Sequence, residues 1–227
     1  MKGTMPIKVT AKLVDGRINS ADGLLFLDSI LYHAWFCKYS PETFQGLVSD
    51  KPTDMKFGLP LRQLEGGRYA ASCGFYTQHS YAVEYWNKRP DFMGRNEKYL
   101  DAKGKIDTGA GELKAYHFPQ IIRTVSDIEF YAVGNPEKVR ELLTYIPAIG
   151  KKPAAGWGKV KEWIVEEFPE DWSTEGGYGL MRPMPVDEYD PKGRLYTISD
   201  CAIRPPAWKS CNQKLCYVPK VIINDQK

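Results

Sequence analysis

Apolar and polar positions alternate from the start of "IKVTAKLV": Ile7, Val9, Ala11 and Leu13 share one face, and Lys8, Thr10 and Lys12 share the other. A period of two predicts a half-buried strand. The period then changes. In "LLFLDSILYHAWFCKY", Leu27, Ile30, Leu31, Ala34 and Trp35 recur at helical spacing, so a first helix follows the first strand after the connecting stretch "DGRINSADG". Residues 40–66 are rich in proline and glycine, with "FGLPLRQL" a candidate short strand, and "GRYAASCGFYTQ" predicts a strand bulged at Gly74.

Residues 87–113, beginning "NKRPDFMGRNEK", lack apolar periodicity and predict an exposed hairpin-like insertion. Strand-like composition returns in "ELKAYHFPQIIRTVSDIEFYAVG", with Pro119 interrupting it. Asn135 and Pro136 then form an N-cap and first-turn pair, and "EKVRELLTYI" places Val139, Leu142, Leu143 and Ile146 on one stripe of a second helix that stops at Pro147. "KVKEWIVEEF" supplies a further strand, and Tyr196–Ile223 holds short strands broken by prolines. Strand, helix, two strands, helix, strand is the order of an α+β, ferredoxin-like (RRM-like) fold. The expected organisation is residues 1–168 carrying that fold with its inserted hairpin, and residues 169–227 as a β-rich elaboration packed on the same domain.

Composition narrows the class without naming a function. A chain of 227 residues with 43% hydrophobic, 26% charged and 13% aromatic residues is globular and has the means for a real core. Its net charge of +3 hides an uneven distribution. Acids from Glu166 to Asp190 face the single base Arg182, whereas Lys192, Arg194, Arg204, Lys209, Lys214 and Lys220 face only Asp200. A fold that brings this second stretch beside Lys151, Lys152 and Lys159 would own a basic face suited to a polyanion; otherwise these are two ordinary solvated surfaces. The five cysteines (37, 73, 201, 211 and 216) form no CxxC pair, so neither a disulfide framework nor a zinc site is signalled, and no cofactor motif appears. With no apolar stretch of signal-peptide or membrane-spanning character, the expected location is the cytoplasm.

The densest concentration of unusual residues is "IGKKPAAGWGKV" at 149–160, lying between the second helix and the strand that follows. A nucleotide P-loop follows a strand and opens a helix, which is the opposite polarity, and the GKS/GKT ending is missing. Glycines at 150, 156 and 158 let another backbone come close, and amides beside Lys151, Lys152 and Lys159 suit phosphate oxygens. Trp157, between two of the glycines, suits stacking on a base. The same glycines are also what a tight turn requires.

These segments resemble the RAMP superfamily of CRISPR-associated proteins, whose ferredoxin-like folds carry a glycine-rich loop after the second helix. The opening strand and helix, with Leu27, Asp28, Ile30 and Leu31 as an "LD-x-I/L-L" signature, look like the start of that fold. "IGKKPAAGWGKVKEW", "LMRPMP" at 180–185 and "RPPAWKSCNQKLCYVP" are similar to the type IV subunit of the Cas-five-like kind. The resemblance implies a subunit that caps the 5′ handle of a guide RNA (crRNA) in a ribonucleoprotein, beside a Cas-seven-like backbone subunit and a large subunit. It further implies target DNA reached through the complex, a DinG-type helicase as accessory, and an inserted hairpin that acts as a thumb on the guide. The RNA-binding residues it implies are Gly150, Lys151, Lys152, Gly156, Trp157, Gly158, Lys159 and Arg182.

Each candidate has a plainer reading. Arg182 either contacts RNA or pairs with Asp187 or Glu188. His33 lies near the first helix's apolar stripe, where active RAMP nucleases often carry a catalytic histidine, with Tyr32 and Lys38 as paper partners. A lone histidine there is more often a packed side chain, and His79 and His117 have no better credentials. Trp35, Tyr85, Trp86, Trp163 and Trp172 read as core by default. Three functions follow: a non-catalytic guide-RNA-binding subunit, a crRNA-processing endoribonuclease, and a ferredoxin-like protein-interaction module.

Overall fold

The structure, a computed structural model, describes residues 3–41, 57–89, 107–111 and 113–223. Strand β1 (Met5–Leu13) realises the opening alternation: Ile7, Val9 and Ala11 are buried, while Lys8 and Lys12 form ion pairs with Glu129 and Glu162. It is the centre of an antiparallel sheet between β5 (Ile128–Gly134) and β6 (Val160–Glu167). Beyond β5, segment 70–75 continues the pairing as bridges rather than as a regular strand. Ser72 and Phe75 N–H donate to the Tyr131 and Glu129 carbonyls, at 2.8 Å each.

Two helices pack on this sheet. Helix α1 (Leu27–Tyr39) buries Leu27, Leu31 and Ala34, and α2 (Pro136–Leu143) buries Val139, Leu142 and Leu143 against α1 and β6. The Asn135 side-chain Oδ1 accepts from Lys138 N–H at 2.9 Å and Pro136 occupies the first turn, as the sequence requires of a helix start. The helix ends earlier than the apolar stripe: Ile146 is buried, but in the turns after Leu143.

A second sheet, ordered β12-β3-β4-β2, comprises β2 (Arg17–Asn19), β3 (Tyr76–Lys88), β4 (Tyr116–Val125) and β12 (Ile222–Ile223). β2 falls inside "DGRINSADG", where turn-forming residues conceal a short strand with Ile18 fully buried. β3 and β4 pair as far as Lys88 and Tyr116, so the expected insertion is carried by a two-stranded ribbon that takes in its first two residues. Its residues 90–106 and 112 lie outside the described ones. The register shift sits between Gln78 and Ser80 rather than at Gly74. Gly74 is needed instead for packing: a Cβ there would stand 2.7 Å from the Ile128 side chain and 2.8 Å from the Phe130 ring. Pro119 does not break β4, because β2 reaches only residues 122–124 and leaves that edge unpaired at the proline.

The C-terminal part adds β7 (Glu175–Gly176) paired with β8 (Gly179–Leu180), and β9 (Met184–Pro185), β10 (Thr197–Ala202) and β11 (Gln213–Val218) in the order β10-β11-β9. Met181 and Val221 join the main core, while Cys201, Ile203 and Cys216 form a small cluster of their own. All five cysteines are unpaired. The architecture is α+β, mostly strand with two helices among the described residues, and none of these helices is long and apolar enough to cross a membrane.

Candidate nucleic-acid interface

The loop at 149–160 docks on β2. Lys151 N–H donates to the Asn19 carbonyl at 2.9 Å, Gly158 N–H donates to the Arg17 carbonyl at 2.7 Å, and Ile149 N–H closes the loop on the Gly158 carbonyl at 2.9 Å. The three glycines divide accordingly. Gly150 (φ +83°) would put a Cβ 2.9 Å from the Asn19 carbonyl oxygen, and at Gly158 (φ +69°) a Cβ would land on the Ile149 carbonyl oxygen. Both serve the close approach of the protein's own backbone. Gly156 (φ +89°) would meet nothing within 4 Å and faces open space. The amides of Lys151, Gly156 and Gly158 are bonded within the protein, so the loop offers a ligand side chains rather than a cradle of these N–H groups. Lys151 and Lys159 are exposed, and Lys152 and Trp157 are half-buried.

The loop faces the ribbon. Lys152, in the left-handed region at φ +56°, sets its ammonium 3.0 Å above the centre of the Trp86 ring. Desolvation there lowers the pKa of Lys152 from the ordinary lysine value. Trp86 lies opposite Phe118 in the β3–β4 register, and the two are 48% and 54% exposed. Tyr116 continues the row, 5.2 Å from Trp86 and 5.0 Å from Phe118 between ring centres, with the Lys88 ammonium 5.8 Å over its ring. Between loop and ribbon runs an open groove of about 540 Å³, lined by Trp86, Phe118, Gln120, Lys151, Lys152 and Asn19 among others. Asn19 joins its two walls, since its backbone carbonyl holds Lys151 and its buried side-chain amide donates to Gln120 Oε1 at 2.7 Å. Cations beside exposed aromatic faces are the two elements from which single-stranded nucleic-acid sites are built.

This aromatic row was hidden in the sequence. Trp86 and Tyr85 read as core, yet both stand on the exposed ribbon. The available signal was the pairing of two aromatic runs, "YAVEYWNK" and "YHFPQ", on either side of an insertion, because a two-stranded ribbon has no third layer in which to bury them. On the ribbon's other face Tyr85 stacks on His117 at 4.3 Å, and His117 Nδ1 is hydrogen-bonded to Asn87 Oδ1.

Arg182 requires a correction. It is 1% exposed and belongs to the core, where its guanidinium donates to the carbonyls of Tyr69, Ala71 (3.2 Å) and Ile203 (2.7 Å). Its acidic partner is Asp28 at 3.5 Å rather than Asp187 or Glu188. A guanidinium so enclosed has no face for RNA. Within the basic stretch at 192–220, Lys214 pairs with Glu188 (2.6 Å) and Asp187 (3.9 Å), and Lys192 pairs with Glu175 (3.8 Å), so these two charges are met by the acidic segment. His33 sits on α1 with Nε2 3.6 Å from Cys37 Sγ; burial lowers its pKa and raises that of Tyr32. Among the described residues no cluster of three histidine, cysteine or acidic side chains suits a metal ion.

Residues 76–219, more than half of the chain, match the family model described as CRISPR type IV associated protein Csf3. The match begins with the ribbon and covers the loop and the C-terminal strands; β1 and α1 lie before it. No curated protein matches the chain.

Proposed function

The chain belongs to the Csf3 family of CRISPR type IV associated proteins, and from that premise we propose that it is a non-catalytic subunit that binds guide RNA in a type IV ribonucleoprotein. The observation that carries this reading is the meeting of Lys151 and Lys152 with the exposed aromatic row of the ribbon across one open groove. Lysines neutralise phosphates and exposed rings stack on unpaired bases, so the groove suits a single strand such as a guide's 5′ handle. The strand order supports the ferredoxin-like reading, because β6, β1, β5 and segment 70–75 lie side by side as fourth, first, third and second. Met181 and Val221 in the main core support a C-terminal elaboration packed on the same domain.

On this reading the partners are a Cas-seven-like backbone subunit, a large subunit, target DNA reached through guide pairing, and a DinG-type helicase, all in the cytoplasm. The role is non-catalytic on this reading: His33 lies on the exposed side of α1 beside the Cys37 thiol, and His117 is stacked on the Tyr85 ring and bonded to Asn87. The test is purification of the complex at increasing salt, RNA sequencing of what is retained, and incubation of labelled precursor with the purified chain. A uniform guide retained with steep salt dependence and left uncut is the expected result. Absence of RNA at every salt overturns the reading, and cleavage abolished by His33→Ala or His117→Ala would replace it with the endoribonuclease.

A further inference from the structure

Trp86 stands on a two-stranded ribbon, about half exposed, and the group described over the face of its ring is the Lys152 ammonium. That arrangement is an exchangeable one. An ammonium over an aromatic ring at an open site is held weakly, and desolvation disfavours its charge there. A nucleobase covers the same face with a broad stacking contact that is worth more and tolerates any base. The groove beside the ring, about 540 Å³, has room for a nucleotide and lies open to solvent. A duplex keeps its bases stacked inward and presents no free face, so the site selects an unpaired nucleotide.

We propose that this groove binds one unpaired nucleobase of the guide, stacked on Trp86 in the position now held by the Lys152 ammonium. Lys152 then swings to the phosphate of the same nucleotide, beside Lys151. No covalent bond changes. The protonated amine exchanges a ring face for an oxyanion, where its full charge is favoured, so the same event removes the desolvation of Lys152 and adds a phosphate contact. Phe118, opposite Trp86 in register, extends the platform to a neighbouring base. The proposal rests on the RNA-binding reading above and specifies its central contact.

The experiment uses the full-length protein and the RNA that copurifies with it, resynthesised with single 2-aminopurine substitutions, because stacking quenches that base's emission. One position should lose emission on binding to the wild type, recover it with Trp86→Ala and stay quenched with Trp86→Phe. The affinity of Trp86→Ala should fall roughly 5- to 150-fold, with an unchanged thermal melt because the ring is outside the core. Lys152→Ala should keep the quench at the same position. RNA bound with no responding position, or a quench that survives Trp86→Ala, overturns the inference while leaving the RNA-binding reading intact. If the wild type binds no RNA, both fall together.

Discussion

Arg182 and Asp28, 154 positions apart in the chain, meet inside the core with a guanidinium nitrogen 3.5 Å from the carboxylate and neither residue more than 3% exposed. The same guanidinium holds carbonyls of residues 69, 71 and 203, so one side chain ties α1, the segment beside β5 and the C-terminal part. Burial raises the Asp28 pKa, and the arginine opposes that rise. Removing the cation with Arg182→Ala leaves Asp28 without its cationic partner and takes the guanidinium donor from the Ala71 and Ile203 carbonyls. The expected loss is about 3–5 kcal/mol of stability, measured by urea denaturation. RNA retention per folded molecule should be unchanged; a variant as stable as wild type that has lost RNA would return Arg182 to the interface.

The loop glycines should separate by substitution. Gly158→Ala drives a Cβ into the Ile149 carbonyl and is expected to destabilise strongly, whereas Gly156→Ala meets open space and bears only the left-handed backbone cost, about 1–2 kcal/mol. Thermal melts of the two variants check the order. Equal melting temperatures would show that the loop does not close on itself between Ile149 and Gly158 in solution.

Lys151 and Lys152 should report through salt. If each neutralises one phosphate of a single strand, replacing either by Ala lowers the slope of log K against log salt by about 0.7. Filter binding across a salt series measures it. Unchanged slopes in both variants would mean that neither lysine meets a phosphate.

Glu188 should shape the acid limb of stability. Hydrogen bonding from Lys214 at 2.6 Å lowers its pKa from 4.5, burial opposes this weakly, and Arg68 at 2.7 Å adds to the lowering. A carboxyl with a depressed folded-state pKa contributes stability that is present above its unfolded value and lost as pH falls through the folded one. The stability gap between wild type and Glu188→Gln should therefore be full at neutral pH and close below about pH 4, as followed by thermal melts. Asp28 acts with the opposite sign, because its raised pKa lets the folded state hold a proton that the unfolded chain releases.

The strand of Ile7, Val9 and Ala11, the stripe of α1 and the Asn135–Pro136 helix start were legible because each is a local pattern whose period or cap decides the backbone. The loop's glycines were legible, but not their use: the composition predicted a cradle for a ligand's backbone, and two of the three accommodate the protein's own. Arg182 and Trp86 exchanged places relative to expectation. A charged residue in an acidic run reads as surface, and an indole in a strand reads as core. Whether the partner of each lies 154 positions away or across a two-stranded ribbon is long-range information that no window of sequence contains.

Asn19 acts as a caliper. It fixes the loop with its carbonyl and the base of the ribbon with its amide, so the position of one relative to the other runs through a residue that is itself 5% exposed. Shortening that spacer or breaking its grip on Gln120 would therefore change what thickness of ring the opening admits, from the floor of the groove rather than from its aromatic wall.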